Sequence, residues 1–314
     1  MPPKIIIVTG PTATGKTALG VELAKEFDGE VVSADSMQVY RGMDIGTAKV
    51  TPEETNGVPH HMIDVADPRE DYSVARYVSD AAACCDDILA RGKRPVLVGG
   101  TGLYIDSLVS GRDFAGDNAG DRELRDALGR EYDATGGEAM LKKLAAVDPL
   151  RAEKLAPGDR RRIIRALEVY QLTGQTITEH DEMTKKLPPR YDAAVIALSF
   201  ENRQDLYERI DRRVDKMLDA GLFDEVRGLV AGGVPPESTA MQAIGYKEVL
   251  AALKNEISLP EAAELIKRES RRYAKRQLTW LRRDKSVFWI LWDSLPDFER
   301  GRLLSTEFLR SRGL

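Results

Sequence analysis

The chain predicts an α/β fold: a parallel sheet flanked by helices, built around a phosphate-binding loop, with an all-helical domain inserted. Three observations carry this expectation. A strand of unbroken apolar residues runs into a glycine-rich loop and then a helix. Three further segments read as buried strands separated by helical stretches, and a long central stretch has helical, charged sequence with no convincing strand.

The first strand covers residues 4–9, where Ile5-Ile6-Ile7-Val8 shows no alternation, as expected of a strand buried on both faces. It leads into Gly10-Pro11-Thr12-Ala13-Thr14-Gly15-Lys16-Thr17, a complete G-x-x-x-x-G-K-[ST] sequence, after which Leu19, Leu23, Ala24 and Phe27 recur at helical spacing. Strand, loop and helix in that order form the context the motif requires. Its glycines let consecutive N–H groups point inward, and the helix adds the positive end of its dipole; both favour a phosphate or diphosphate. Lys16 is expected to pair with phosphate oxygens, and the Thr17 hydroxyl to ligate Mg2+.

Residues 30–34, 95–98 and 193–200 read as the other strands. Ligands of such sheets bind beyond the carboxyl ends of the strands, where Asp35, Gly99-Gly100-Thr101 and the phosphate loop all fall. The expected organisation is a first core segment (1–112), a helical insert (113–189) and a second core segment (190–314). Gly111, Gly116 and Gly120 mark the start of the insert and Pro188-Pro189 its end, as hinges or linkers.

Length and composition, 314 residues with 42% hydrophobic and 31% charged, describe a globular protein with a sizeable core. No apolar run reaches membrane-spanning length, and the first strand follows Met1-Pro2-Pro3 directly, so the expectation is a cytoplasmic protein without a leader. The two cysteines, Cys84 and Cys85, are adjacent and form neither a zinc pattern nor a disulfide framework; they read as packing residues. His60-His61 are likewise adjacent, without ligand spacing, and read as structural. A net charge of −5 argues against indiscriminate nucleic-acid binding, although local patches outweigh the sum.

Asp35, at the tip of the second strand, can serve as a general base or simply form a turn or helix cap. The third strand ends in Gly99-Gly100-Thr101 and not in the magnesium-binding aspartate of motor ATPases and GTPases, which argues against an ATP-driven machine. Glycines there leave room for a substrate against the backbone, with Thr101 the nearby side chain able to bond it. Two basic patches stand out: Arg160-Arg161-Arg162 with Arg165, and a C-terminal run that includes Arg268, Arg271, Arg272, Lys275, Arg276 and Arg282 with Tyr273 and Trp280 interleaved. Each alone reads as a solvated helix face; two in an acidic chain point to a local RNA surface.

With these pieces together, the chain resembles the bacterial tRNA dimethylallyltransferase, or tRNA isopentenyltransferase, family. The resemblance rests on GPTATGKT (10–17), DSMQVYRGMDIGTAK (35–49), VPHHMID (58–64), GGTGLY (99–104), DRRRIIRALEVY (159–170), MQAIGYKE (241–248) and YAKRQLTW (273–280), in order along nearly the whole chain. It implies transfer of a dimethylallyl group from dimethylallyl diphosphate to N6 of the adenosine 3′ of the anticodon, in tRNAs reading codons that begin with U. The partner is then the tRNA anticodon stem-loop, and the enzyme is expected to be a monomer. Asp35 would be the general base, with Lys16 and Thr101 as further catalytic groups and Mg2+ on Thr17. Residues 10–17, with Arg213 as a clamp, would hold the diphosphate. The tRNA would be met by Asp35, Ser36, Met37, Gln38, Thr101, Arg125, Asp159, Arg160, Arg161, Arg162, Ile163 and Gln242, and by Arg272, Lys275 and Arg276.

Residues 174–178 are looser than the usual family version, and Leu281 replaces a frequent aromatic; both bear on tRNA preference more than on chemistry. No zinc is expected, since a Cys/His module of the kind appended in eukaryotic relatives is missing from this sequence. Three other readings compete: a small-molecule kinase using the same loop, a prenyltransferase acting on free adenine nucleotides, and a nucleotide-gated RNA-binding protein. The arginine-rich helix and DRRRIIR weigh against the first two, the strand-tip acid against the third.

Overall fold

The computed structural model describes residues 2–111 and 122–314. Gly116, Gly120 and residue 113, the expected start of the insert, lie outside the described residues. The chain divides into two compact units, residues 1–109 with 190–314, and residues 110–189.

The larger unit is built on six strands: β1 (Lys4–Thr9), β2 (Gly29–Ser33), β3 (His60–His61), β4 (Arg94–Val98), β5 (Asp192–Phe200) and β6 (Phe288–Trp292). Their order is β3-β2-β4-β1-β5-β6, every pairing parallel. β1 lies between β4 and β5, in register at Ile7 with Leu97 and with Val195. Alternation of side chains explains its unbroken apolar sequence: Ile5 and Ile7 enter one core cluster, Ile6 and Val8 the other. Burying one such side chain contributes about 1.5–3 kcal/mol, so the strand that carries the phosphate loop is firmly held.

β3 and β6 are strands that the sequence reading did not anticipate. β3 is two residues long, too short for any periodic signal. β6, in a region read as mostly helical, is Phe-Trp-Ile-Leu-Trp, whose aromatic and β-branched content favours a strand. Cys85 is fully buried in the core and Cys84 half-buried against it; burial pushes the Cys85 thiol up to about 12, which leaves it inert.

The smaller unit is helical throughout its described residues, with helices Arg122–Thr135, Gly137–Ala145, Pro149–Ala152, Arg160–Thr173 and Ile177–Lys185 around its own apolar cluster.

Candidate active site

At the carboxyl end of β1 the backbone leaves the sheet through Gly10, whose φ is +140°. A Cβ there would lie 2.3 Å from the Leu198 carbonyl oxygen on β5, so only glycine lets the loop depart between the strands. Ala13 and Gly15 take left-handed conformations, φ +66° and +86°, and the helix Lys16–Glu26 begins directly after.

Long-range contacts hold this loop in shape. The Thr12 amide donates to Gln277 Oε1 at 3.2 Å, while Gln277 Nε2 donates to the Gly100 carbonyl at 2.9 Å. Arg209 Nε donates to the Ala13 carbonyl (3.1 Å) and Trp292 Nε1 to the Thr14 carbonyl (2.9 Å). Within the loop, the Thr14 hydroxyl and the Lys16 ammonium both donate to the Pro11 carbonyl, at 2.9 and 2.7 Å.

The loop forms part of the lining of a cavity of about 420 Å³. Thr12, Lys16, Thr17, Asp35, Arg213 and Gln277 contribute polar groups to it; Val31, Ile210, Val214, Met217, Ile244 and Ile266 contribute apolar ones. Charge inside it is expensive. Desolvation foremost, then the Arg213 guanidinium, brings the Lys16 ammonium down to about 7, with Asp35 opposing both. Desolvation also presses down on Arg213, again opposed by Asp35. Arg213 makes no hydrogen bond or ion pair among the described residues, so its donors are available to an anion.

Asp35 follows β2. Its Oδ1 accepts from the Met37 amide (2.9 Å) and the Gln38 amide (3.4 Å), an Asx turn, while Oδ2 has no hydrogen-bond partner among the described residues. One carboxylate therefore forms a turn with one oxygen and leaves the other without a hydrogen bond among the described residues. Thr101 stands behind this turn: its Oγ1 accepts from the Ser36 amide at 3.1 Å and donates to Ser36 Oγ at 3.4 Å. Burial pushes the Tyr273 phenol up to about 12, so it stays neutral. Gln38 accepts from Ser33 Oγ at 3.0 Å and, with Met37, lines the cavity.

Of the other residues expected to meet RNA, Arg276 reaches the cavity, with its guanidinium 5.5 Å from the centre of the Tyr273 ring. Arg272 and Lys275 are exposed on the same helix, Leu259–Leu281, and Gln242 is exposed with its amide donating to the Pro236 carbonyl. Arg271, grouped with them on sequence, faces inward instead: it pairs with Asp211 (2.7 Å) on the helix Arg203–Asp219 and braces the two helices together.

In the smaller unit, Arg125, Arg130, Arg160, Arg161 and Arg165 border a groove of about 590 Å³. Arg125 and Arg165 bond opposite oxygens of the fully buried Glu168, and Arg160 pairs with Asp133 at 2.9 Å. Arg161 is exposed with no ion-pair partner among the described residues, and Arg162 is exposed with only Asp159 at 3.9 Å. Asp159 Oδ2 accepts from the Ala156 amide at 3.0 Å. The Ile163 side chain is 0% exposed in the unit's core and supports the arginine-bearing helix, which leaves only its backbone and the neighbouring side chains to face RNA.

Sequence reasoning did not single out Gln277 or Trp292, which hold the loop, and it read His60, which joins the cavity lining, as structural only. His60 Nδ1 lies 2.8 Å from the Val58 carbonyl and His61 Nε2 2.8 Å from Glu30, so both have structural bonds as expected. Gln277 and Trp292 lie within or beside apolar and aromatic runs, and no local pattern shows that their polar atoms reach the loop.

Comparison with known proteins places these features in context. The IPP transferase family profile matches residues 38–284, and an isopentenyl transferase profile matches residues 3–67. The chain is 48% identical over 310 residues to a tRNA dimethylallyltransferase of Caldanaerobacter subterraneus subsp. tengcongensis, covering 98% of each chain. Among solved structures it resembles the tRNA isopentenylpyrophosphate transferase of Bacillus halodurans, with TM-score 0.73, 43% identity and coverage of 98% and 96%. It also resembles a eukaryotic dimethylallyltransferase captured acting on tRNA, with TM-score 0.82, 31% identity and coverage of 98% and 80%.

Proposed function

Because the chain belongs to the IPP transferase family, we propose that it transfers the dimethylallyl group of dimethylallyl diphosphate to N6 of the adenosine 3′ of the anticodon. The tRNAs concerned read codons beginning with U. The observation that carries this reading is a single cavity holding phosphate-loop groups, the Lys16 and Arg213 cations, one carboxylate with a free oxygen and an apolar wall. A diphosphate, a short branched alkenyl chain and a nucleophile that must lose a proton each find a matching surface.

The exocyclic amine is a feeble nucleophile because its lone pair is delocalised into the ring. As N6 forms a bond to C1 of the donor, its proton passes to Asp35 Oδ2, and the C1–O bond breaks with its electron pair going to the diphosphate. Lys16, Arg213 and the loop amides stabilise the charge gathering on that oxygen. Lys16 must leave the Pro11 carbonyl for the diphosphate, exchanging a neutral acceptor for an anionic one. Thr101 holds the turn that aims Asp35, through the Ser36 amide.

The residues present also fit Mg2+. Thr17, exposed at the cavity, offers a hard oxygen, and β4 ends in glycines rather than an acid, so diphosphate oxygens and water would complete the coordination. The ion would supply charge neutralisation on the diphosphate.

Recognition of the tRNA falls to the exposed cations: Arg125, Arg160, Arg161 and Arg162 in the smaller unit, Arg272, Lys275 and Arg276 in the larger. Reaching the adenine requires unstacking it, at a cost of about a few kcal/mol, which is small in a single-stranded loop.

The test is to incubate the protein with Mg2+, dimethylallyl diphosphate and a tRNA reading U-initial codons, then digest and weigh the nucleosides. A five-carbon gain on one adenosine, absent when ATP replaces the donor, is expected. Phosphate transfer from ATP to a small molecule, with no such gain, would instead establish the kinase reading.

A further inference from the structure

Three of the sequence motifs contain residues that take no part in the transfer chemistry described above. They are Asp44 to Lys49 of DIGTAK, Asp64 of VPHHMID, and Tyr246 of IGYKE, and they meet around two side chains. Glu225, in the first turn of the helix Leu222–Ala231, accepts three consecutive backbone N–H groups, from Asp44 (2.8 Å), Ile45 (2.7 Å) and Gly46 (3.1 Å). It also accepts the Tyr246 phenol at 2.5 Å. Successive amides converging in this way make an anion-binding nest, here filled by the protein's own carboxylate. Lys49 locks the other end, donating to the Tyr40 carbonyl (2.6 Å) and to Asp44 (2.7 Å) and Asp64 (2.5 Å).

The loop so fixed is a wall of the reaction cavity, which Gly46, Thr47 and Ala48 line. Its Thr47 and Ala48 carbonyls accept from Gln38 Nε2 at 3.4 and 3.3 Å, and Gln38 is bonded through its own amide to Asp35. Tyr246 is fully buried against Gly46, where a Cβ would lie 2.4 Å from its ring, so the loop cannot close on the phenol with any other residue there. None of the groups facing the diphosphate, Thr12, Lys16, Thr17 or Arg213, bonds this loop.

We propose that Glu225 is a positioning residue for the acceptor half of the site, acting through residues 44–48 and Gln38 on the surface that receives the adenosine. The inference rests on the transfer reaction assigned above. Glu225 touches neither substrate; its carboxylate presets the wall against which the base is placed.

Glu225→Gln keeps the size and one carbonyl oxygen but loses the charge and one acceptor, and Tyr246→Phe removes only the phenol. With donor and tRNA varied separately, Glu225→Gln is expected to lower kcat/KM for tRNA about 10- to 100-fold, corresponding to one or two lost charge-assisted hydrogen bonds. The KM for dimethylallyl diphosphate should stay within about twofold. Tyr246→Phe should lower the same parameter about three- to tenfold, and the double variant should be no worse than Glu225→Gln alone, since both act on one contact.

A merely structural role would lower both substrates' parameters together through the folded fraction, with additive effects. Parallel loss for both substrates, or an unchanged kcat/KM for tRNA in folded Glu225→Gln, overturns the proposal. If Glu225→Gln does not fold, Tyr246→Phe decides alone, and an unchanged kcat/KM for tRNA refutes it. A wild-type protein that transfers no five-carbon group removes the reaction assignment itself, and the inference with it.

Discussion

Asp35 forms its turn with Oδ1, the proposed mechanism gives the proton to Oδ2, and substitutions can separate the two. In Asp35→Asn the side-chain carbonyl can still accept from the Met37 and Gln38 amides, so the turn is retained, but no atom remains that takes a proton from N6. Loss of a positioned general base costs about 10^2 to 10^4 in rate, so kcat should fall by that factor, with tRNA affinity kept within about threefold. Asp35→Ala loses the turn as well. Two amide hydrogen bonds, one of them long, contribute roughly 1–2 kcal/mol together, which predicts a further loss of about five- to thirtyfold in kcat/KM for tRNA. Single-turnover prenylation with enzyme in excess, read by mass spectrometry of the nucleosides beside a filter-binding measurement, separates chemistry from affinity. Asp35→Asn turning over within about threefold of wild type would refute the general-base role. Equal effects of the two substitutions on tRNA affinity would refute the role of the turn.

Lys16 must be charged to hold an anion, and its ammonium sits at about 7 in the free enzyme; kcat/KM for the donor should therefore fall about tenfold per unit above roughly pH 8. Bound diphosphate favours the charged form, so in kcat the same limb should move to higher pH, and Lys16→Arg should abolish it; a flat kcat/KM profile from pH 7 to 9 contradicts this. Replacing Arg272 and Lys275 together by Ala should weaken tRNA binding and lower the slope of log affinity against log salt by about 1.5. Arg271→Ala should leave that slope unchanged and lower the melting temperature by about 1–3 °C, because its partner is Asp211 and not RNA. Gly100→Ala would put a Cβ 2.1 Å from Gln277 Nε2, and both it and Gln277→Leu should raise the donor KM about tenfold, the loss of one buried bridge; an unchanged KM in both would show that the loop keeps its shape without Gln277.

How much was legible in the sequence depended on whether the signal was local. The apolar run at residues 4–9, the loop and the helix after it lie within one short stretch, and the structure reproduces them at the expected residues. The same holds for the strand tips at Asp35 and Gly99-Gly100. Ile163 and Arg271 show where locality fails. Each sits in a basic run whose composition is read correctly, but composition does not say which way a helix turns. Ile163 follows three arginines and points into the core, and Arg271 precedes an exposed arginine yet reaches Asp211, 60 residues earlier. Glu225 was silent for a related reason: it lies in an ordinary amphipathic helix, and its partners are backbone amides some 180 residues away.

The same distinction separates the groups to which the proposed mechanism gives the chemistry from the groups that hold the loop in shape. Lys16, Thr17 and Asp35 belong to short patterns because a phosphate or a reacting amine needs a fixed local geometry. The loop's shape, however, is fixed by Gln277, Arg209 and Trp292, which contribute three hydrogen bonds spanning 265, 196 and 278 residues. At roughly 1 kcal/mol each these bonds are small beside the core, but they act on a backbone that must hold a strained left-handed residue at Ala13. A loop with only its local sequence would relax. The elements that close over it, β6 and the helix Leu259–Leu281, come from the last part of the chain, so the phosphate site cannot be complete until the C-terminal segment has packed.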